Sequence, residues 1–190
     1  MPNKFEANLK KASREIQSDQ KESIDWLKDS IYDINKKQKG DPNKLFKKSS
    51  MPQVGDMFLF VYDPKTKDKL PFWDTYPLVF PIQMYDDGFL GINLHYLPYM
   101  QRAQLMGALD SIKNNDKYND STKLMVSYDL LGRYANQFKG YDVCIKRYLY
   151  GHVRSSFHYV TPSDWPKVIM LPLQRWKINP NRGLAGRPPY

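Results

Sequence analysis

Apolar residues recur every three or four positions through the first 38 residues and then abandon that period. Phe5, Leu9, Ala12, Ile16, Ile24, Leu27, Ile31 and Ile34 fall on one face of a helix, with Gln20 at the single gap. Lys, Asp and Glu fill the other faces, and Asp25 with Lys28 and Asp33 with Lys36 stand close enough to interact. Gly40-Asp41-Pro42 ends the run, because proline cannot continue a helix and glycine accepts the cap geometry. One narrow stripe on a long helix must find its other half elsewhere, along the body or on partner helices in a coiled coil. We expect an interaction arm over residues 1–42, carried by Phe5, Leu9, Ile16, Ile24, Leu27, Ile31 and Ile34.

Residues 43–55 are basic and irregular, with Lys44, Lys47 and Lys48 ahead of Ser49-Ser50, Met51-Pro52 and Gly55, and read as a linker. The period then changes to that of strands. Met57 to Tyr62 is a run of β-formers, followed by the polar turn Asp63-Pro64-Lys65-Thr66-Lys67-Asp68. Leu70 to Asp74 and Tyr76 to Met84 follow, and Pro77 and Pro81 predict that the second is an edge or bent strand, since neither can donate to a ladder. Asp86-Asp87-Gly88 is a hairpin turn, and Phe89 to Tyr96 returns as a strand. Short, closely linked strands rich in aromatics predict a small barrel or a strongly curved sheet.

After Pro98 a helical period resumes. Met100, Ala103, Leu105, Met106 and Leu109 predict a helix over 98–112, and Ser121-Thr122 are placed to cap a second one holding Leu124, Met125, Tyr128, Leu130 and Leu131. Val143, Ile145, Tyr148 and Leu149 predict a third over 142–153, Phe157 to Val160 a short strand rejoining the sheet, and Thr161 to Met170 a short helical segment. Asn179 to Tyr190 holds three prolines and two glycines without a core pattern and reads as an extended tail. The fold class is therefore α+β: a long N-terminal helix, a small SH3-like β-barrel or curved antiparallel sheet with inserted helices over 56–178, and a tail over 179–190.

Charge separates the ends from the middle. Residues 1–50 carry 12 Lys/Arg against 8 Asp/Glu, residues 51–140 carry 9 against 10, and residues 141–190 carry 8 against 2. A balanced core with basic ends suits contact with a polyanion, nucleic acid before an acidic protein surface. Lys146-Arg147-Tyr148-Leu149-Tyr150-Gly151-His152-Val153-Arg154 interleaves cations with aromatics, and on a helix Arg147 and Arg154 would stand two turns apart. Arginine grips phosphate with a planar fork, and tyrosine or histidine stacks on exposed bases. Lys167, Arg175, Lys177, Arg182 and Arg187 continue the same chemistry, so Lys146, Arg147, Arg154 and these five are the candidate DNA contacts. Their spacing suits phosphate tracking rather than base readout. Lys65, Lys67 and Lys69 form a second patch, read as a solubilised loop tip, and Phe72, Trp73, Tyr76, Phe80 and Phe89 are read as core.

Catalytic patterns are missing. His95, His152, His158 and Cys144 show no metal-ligand spacing, and no phosphate loop, dinucleotide fingerprint or serine elbow occurs. Asp86/Asp87 and Asp63/Asp68 are turn residues before they are Mg²⁺ ligands. A lone cysteine excludes an internal disulfide, and no run of 18 uncharged apolar residues is present to span a membrane. The start, Met1 to Glu6, lacks the apolar run of a secretory signal. No enzyme activity, metal, cofactor, membrane or small-molecule substrate is expected.

Four blocks carry a resemblance: Met57-Phe58-Leu59-Phe60 with Tyr62-Asp63-Pro64-Lys65; Leu70-Pro71-Phe72-Trp73-Asp74 with Tyr76 to Pro81; Asp87 to Pro98; and Lys146 to Phe157. From about residue 22 to 177 the chain resembles a family of small virion proteins of large contractile-tailed, T-even-type phages, associated with protection of DNA ends. Phe72-Trp73-Asp74 departs mildly from the family's Tyr-Tyr-Asp, and the short tail to Tyr190 is a second departure. The resemblance implies a virion protein that joins the end of the packaged double-stranded genome near the portal and head–tail junction, travels with the DNA into the host and shields its end from an exonuclease. It implies no catalytic residues. The alternative is a purely structural neck, tail or baseplate component whose arm and tail dock on neighbouring phage proteins.

Overall fold

The computed structural model of the protein describes residues 4–37, 51–70, 72–137, 144–171 and 177–178. In chain order the elements are α1 (Lys4–Lys37), β1 (Met57–Leu59), β2 (Phe72–Trp73), β3 (Leu78–Tyr85), β4 (Gly88–Asn93), α2 (Tyr99–Lys113), α3 (Asp120–Gln137), β5 (Ile145–Leu149), β6 (His158–Val160), α4 (Trp165–Ile169) and β7 (Lys177–Ile178). The architecture is α+β, with an antiparallel five-stranded sheet in the order β5-β4-β3-β1-β6 and a two-stranded β2-β7 ribbon. The sheet is open, with β5 and β6 as its edges, and beyond the β1–β6 ladder an isolated bridge joins Tyr62 to Val153.

The run Met57 to Tyr62 shows why the sheet needs cover on both faces. Successive side chains of a strand point to opposite faces. Met57 and Leu59 enter one core with Leu78, Phe80, Ile82 and Ile92, beneath the helices. Phe58, Phe60 and Tyr62 enter a second core with Val79, Phe89, Tyr148, Val153 and Phe157. Phe60 is fully buried and meets Tyr62, Phe89, Tyr148 and Phe157 edge-on, with ring centroids 5.0–6.3 Å away.

β3 is the central strand, against the expectation that its prolines would drive it to an edge. β1 pairs with β3 only at Val79 and Leu78, so Pro81 lies where β3 keeps a single ladder partner. The register shifts between Pro81 and Gln83, and this irregularity absorbs the missing donor. The strand is bent but central. The β3–β4 hairpin closes through Asp86-Asp87 with Tyr85 opposite Gly88, and neither aspartate takes a positive φ, so the turn is not the mirror-image type.

The predicted helix over 142–153 is corrected. Residues 142–143 lie outside the described residues, and the rest forms β5 followed by a 3-10 turn at Tyr150–His152. Ile145, Tyr148 and Leu149 suit a strand as well as a helix by spacing alone, and the ladder from Gly88 to Ile92 supplies the partner that decides it. Elsewhere α2 and α3 occur where periodicity places them. The cap of α3 is Asn119, whose Oδ1 accepts from the Thr122 N–H at 2.8 Å, rather than Ser121 or Thr122.

α1 divides into two halves. Ser23, Leu27, Ser30 and Ile34 are buried, Ile31 packs on the main core, and Ile24 is half-buried. The inward face is thus turned one residue from the apolar stripe, since two serines allow closer approach; Ser23 Oγ donates to the Asp19 carbonyl at 2.8 Å. Leu27, Ile31 and Ile34 therefore serve the body's own core rather than a partner. Residues 14–22 are exposed, Ile16 by 49%. The side chains of Phe5 and Leu9, the linker through residue 50 and the tail over 179–190 lie outside the described residues.

Arg102 ties α2 to α4. Its buried guanidinium donates to the Leu97, Leu171 and Val168 carbonyls at 2.8, 2.8 and 3.2 Å, and burial pulls its pKa down to about 10. Close approach makes the opposite demand at Gly91, where a Cβ would stand 2.2 Å from Val79 Cγ1 and 3.1 Å from the Phe80 carbonyl oxygen. Gly91→Ala is expected to cost about 2 kcal/mol by overpacking, read as a lower denaturant midpoint with an unchanged slope.

Candidate nucleic-acid interface

The cations of β5 obey the strand period. Lys146 and Tyr148 project to the aromatic core's side of the sheet, while Arg147 projects to the other. Lys146 Nζ stands 5.3 Å from the centre of the Tyr96 ring. The Arg147 guanidinium lies 3.9 Å from the centre of the Tyr85 ring and pairs with the Asp87 carboxylate at the hairpin tip. Arg154, beyond the 3-10 turn, donates to the Gly151 carbonyl at 2.9 Å and reaches Asp63 at 3.8 Å. The helical reason for grouping Arg147 with Arg154 fails, yet both charges reach the Tyr62 hydroxyl, where they act against the burial that raises its pKa.

The turn after Tyr62 brings a second set of cations to this place. A groove of about 450 Å³ lies between residues 62–74 and β5, with Tyr62, Lys65, Trp73, Asp74, Tyr96 and Lys146 among its lining. Lys67 Nζ pairs with Asp63 at 3.0 Å, and this hydrogen bond, with Arg154 and His152 near, holds the Asp63 carboxyl below its ordinary range. Lys65 and Lys69 are exposed and pair with no carboxylate among the described residues.

A buried polar network fixes the groove's floor. Asp74 accepts from Asn93 Nδ2 at 2.9 Å, lies 2.9 Å from His95 Nδ1 and accepts from the Tyr76 N–H at 3.0 Å. Asn93 Nδ2 also donates to the Tyr148 hydroxyl at 3.0 Å, and Asn93 Oδ1 accepts from the His95 N–H at 3.0 Å. A buried carboxylate persists only with such donors. Burial foremost, then the Asp74 charge, pushes the Tyr96 and Tyr148 phenols above their ordinary value.

Of the other predicted contacts, the described residues place only one side chain, that of Lys167, and it is not gathered here. Lys167 sits on α4, half-buried and paired with Asp164 at 3.1 Å, and α4 packs on α1 and α2. Lys177 stands opposite Trp73 in the β2–β7 ladder, by its backbone. Arg175, Arg182 and Arg187 lie outside the described residues. Sequence reasoning missed that Lys65, read as a loop tip, and Trp73, read as core, line one groove with Lys146. The aromatic turn-flanking pattern was visible, but the fold-back onto β5 is non-local. Among the described residues no three His, Cys, Asp or Glu side chains converge as a metal site, and no helix is long and apolar enough to cross a membrane.

Over residues 1–186 the chain matches a protein family of phages, and it belongs to that family. The family is the phage T4 terminal DNA protecting protein. Comparisons with curated proteins and with solved structures return no match.

The network makes a prediction about alkali. Below pH 10.0 folded and unfolded chains both hold the phenol protons; above it the unfolded chain releases them while Tyr96 and Tyr148 keep theirs, so stability falls as pH rises. In a titration followed by phenolate absorbance, these two tyrosines are expected to ionise only as the chain unfolds, and Tyr96→Phe to move that unfolding to higher pH.

Proposed function

We propose that this protein binds the ends of packaged double-stranded DNA through phosphates and protects them as a stoichiometric cap, without catalysis. The carrying observation is the family match across residues 1–186, supported by Lys65 and Lys146 in the lining of the groove and by the Arg147 and Arg154 charges that reach Tyr62 beside it. Lys167, Arg175, Lys177, Arg182 and Arg187 would add further phosphate contacts. The protein would act in the virion near the head–tail junction, beside other head, neck or tail proteins, and enter the host cytoplasm with the DNA. The strand order, with a 3-10 turn ahead of the last sheet strand, favours an SH3-like roll for the sheet.

A second reading, a structural neck or tail component, draws on a different face. Met84, Leu124, Met125 and Tyr128 are exposed large apolar side chains around one shallow depression among the described residues. A protein contact there is compatible with DNA capping elsewhere, and exonuclease protection separates the two activities.

Linear and nicked-circular duplex are incubated with the protein at near-physiological salt and then with a processive double-strand exonuclease. Protection of linear DNA at a few molecules per end, with weak competition by the circle, is the expected result; absence of protection at any ratio leaves only the structural reading. Arg147→Gln with Arg154→Gln is expected to weaken binding and lower the salt slope by up to about 2, roughly one for each phosphate no longer neutralised. An unchanged slope removes both arginines from the interface.

A further inference from the structure

We propose that the groove between residues 62–74 and β5 is a pocket for one unstacked terminal nucleotide, and that it makes the protein select DNA ends over continuous duplex. This rests on the end-binding reading above and adds to it a place and a cause of selectivity. Size points to a single nucleotide. About 450 Å³ is the scale of a small-ligand site, room for one nucleobase with its sugar. A duplex interior offers only base edges within its grooves, so none of its bases reaches a recess without being unstacked. That cost is least for a base already frayed or unpaired, which is the base found at an end.

The chemistry within the groove is arranged for the same ligand. Half-buried Trp73 and the edges of the buried Tyr62 and Tyr96 line it, and aromatic rings hold bases of any sequence by stacking, a part that falls chiefly to Trp73. Lys65 is exposed and Lys146 half-exposed, so the cations occupy the mouth, whereas Asp74 is 8% exposed and lies at the floor. A negative floor under a positive mouth orients a nucleotide: the phosphate stays outside with the lysines, and the base goes inward. Asp74 is held by Asn93, His95 and the Tyr76 N–H, and Tyr62 is anchored through its hydroxyl to the Leu149 N–H at 3.2 Å. The walls are therefore set before a ligand arrives, which lowers the ordering cost of binding. A proline-rich peptide also suits an aromatic groove, but it gives the exposed Lys65 no anion.

The test uses the full chain and duplexes carrying 5-iodouracil either at the terminal nucleotide or at mid-duplex, irradiated in the complex and mapped by peptide mass spectrometry. Terminal probes are expected to crosslink to Tyr62, Trp73 or Tyr96 with roughly tenfold the yield of mid-duplex probes. Lys65→Glu with Lys146→Glu, one at an exposed and one at a half-exposed position, is expected to reduce the preference for linear over nicked-circular DNA about tenfold, while binding to the circle falls less; far-UV circular dichroism of the variant is expected to match that of the parent chain. Three results overturn the proposal: terminal crosslinks that map elsewhere while end preference persists, equal yields from both probe positions, or occupation of the groove by a proline-rich peptide with no nucleotide crosslink. The first two leave the end-binding reading standing, and an intact chain that binds no linear DNA removes both.

Discussion

Burial of the sheet's centre on both faces governs the rest of this structure. β1 and β3 send alternate side chains into two cores, one beneath the helices and one of interlocked aromatic rings. A strand with no solvent face cannot slip by one residue without exchanging its two sets of side chains. That locks the register of β3 and β4, and the register makes Gly91 obligatory where Val79 fills the space of a side chain. It also sets β5, whose Tyr148 belongs to the aromatic core and whose Lys146, two residues earlier, must then share Tyr148's face.

The candidate site follows from that arrangement. Tyr148 and Asn93 reach from the aromatic core and β4 to Asp74, so the polar network joins the segment before β3 to the centre of the sheet. Asp74 is buried together with its side-chain partners Asn93 and His95, and it sits beneath the cations of the groove. Asp63 and Asp87 answer Lys67, Arg154 and Arg147 at the rim. Exposed pairs of this kind are worth little in water, so a phosphate can displace them at small cost. On the reading proposed above, this is how a surface holding carboxylates would still serve a polyanion.

Most of the elements were legible in the sequence because their signals are local. The stripe from Ile24 to Ile34, the Asp86-Asp87 turn and the helical periods after Pro98 need only neighbouring residues to be read. The failures were non-local. Pro81 looked incompatible with a central strand until β1 proved too short to pair with it. Residues 145–149 fitted both periods, and only the open edge of β4 selected the strand. Of the candidate contacts, Lys146, Arg147 and Arg154 were legible from charge interleaved with aromatics; Lys65 and Trp73 were not, since a loop tip and a core aromatic become groove walls only after residues 62–74 fold back on β5.

The sequence by itself determined the α+β class, the long helix, the basic C-terminal region and the family to which the chain belongs, because each depends on composition, period or motif along the chain. Only the tertiary structure decided which half of α1 is core, which face of β5 carries lysine rather than arginine, and which cations meet aromatic rings across a groove. Those arrangements join residues tens of positions apart, and they exist only once the two cores have excluded water from both faces of the sheet.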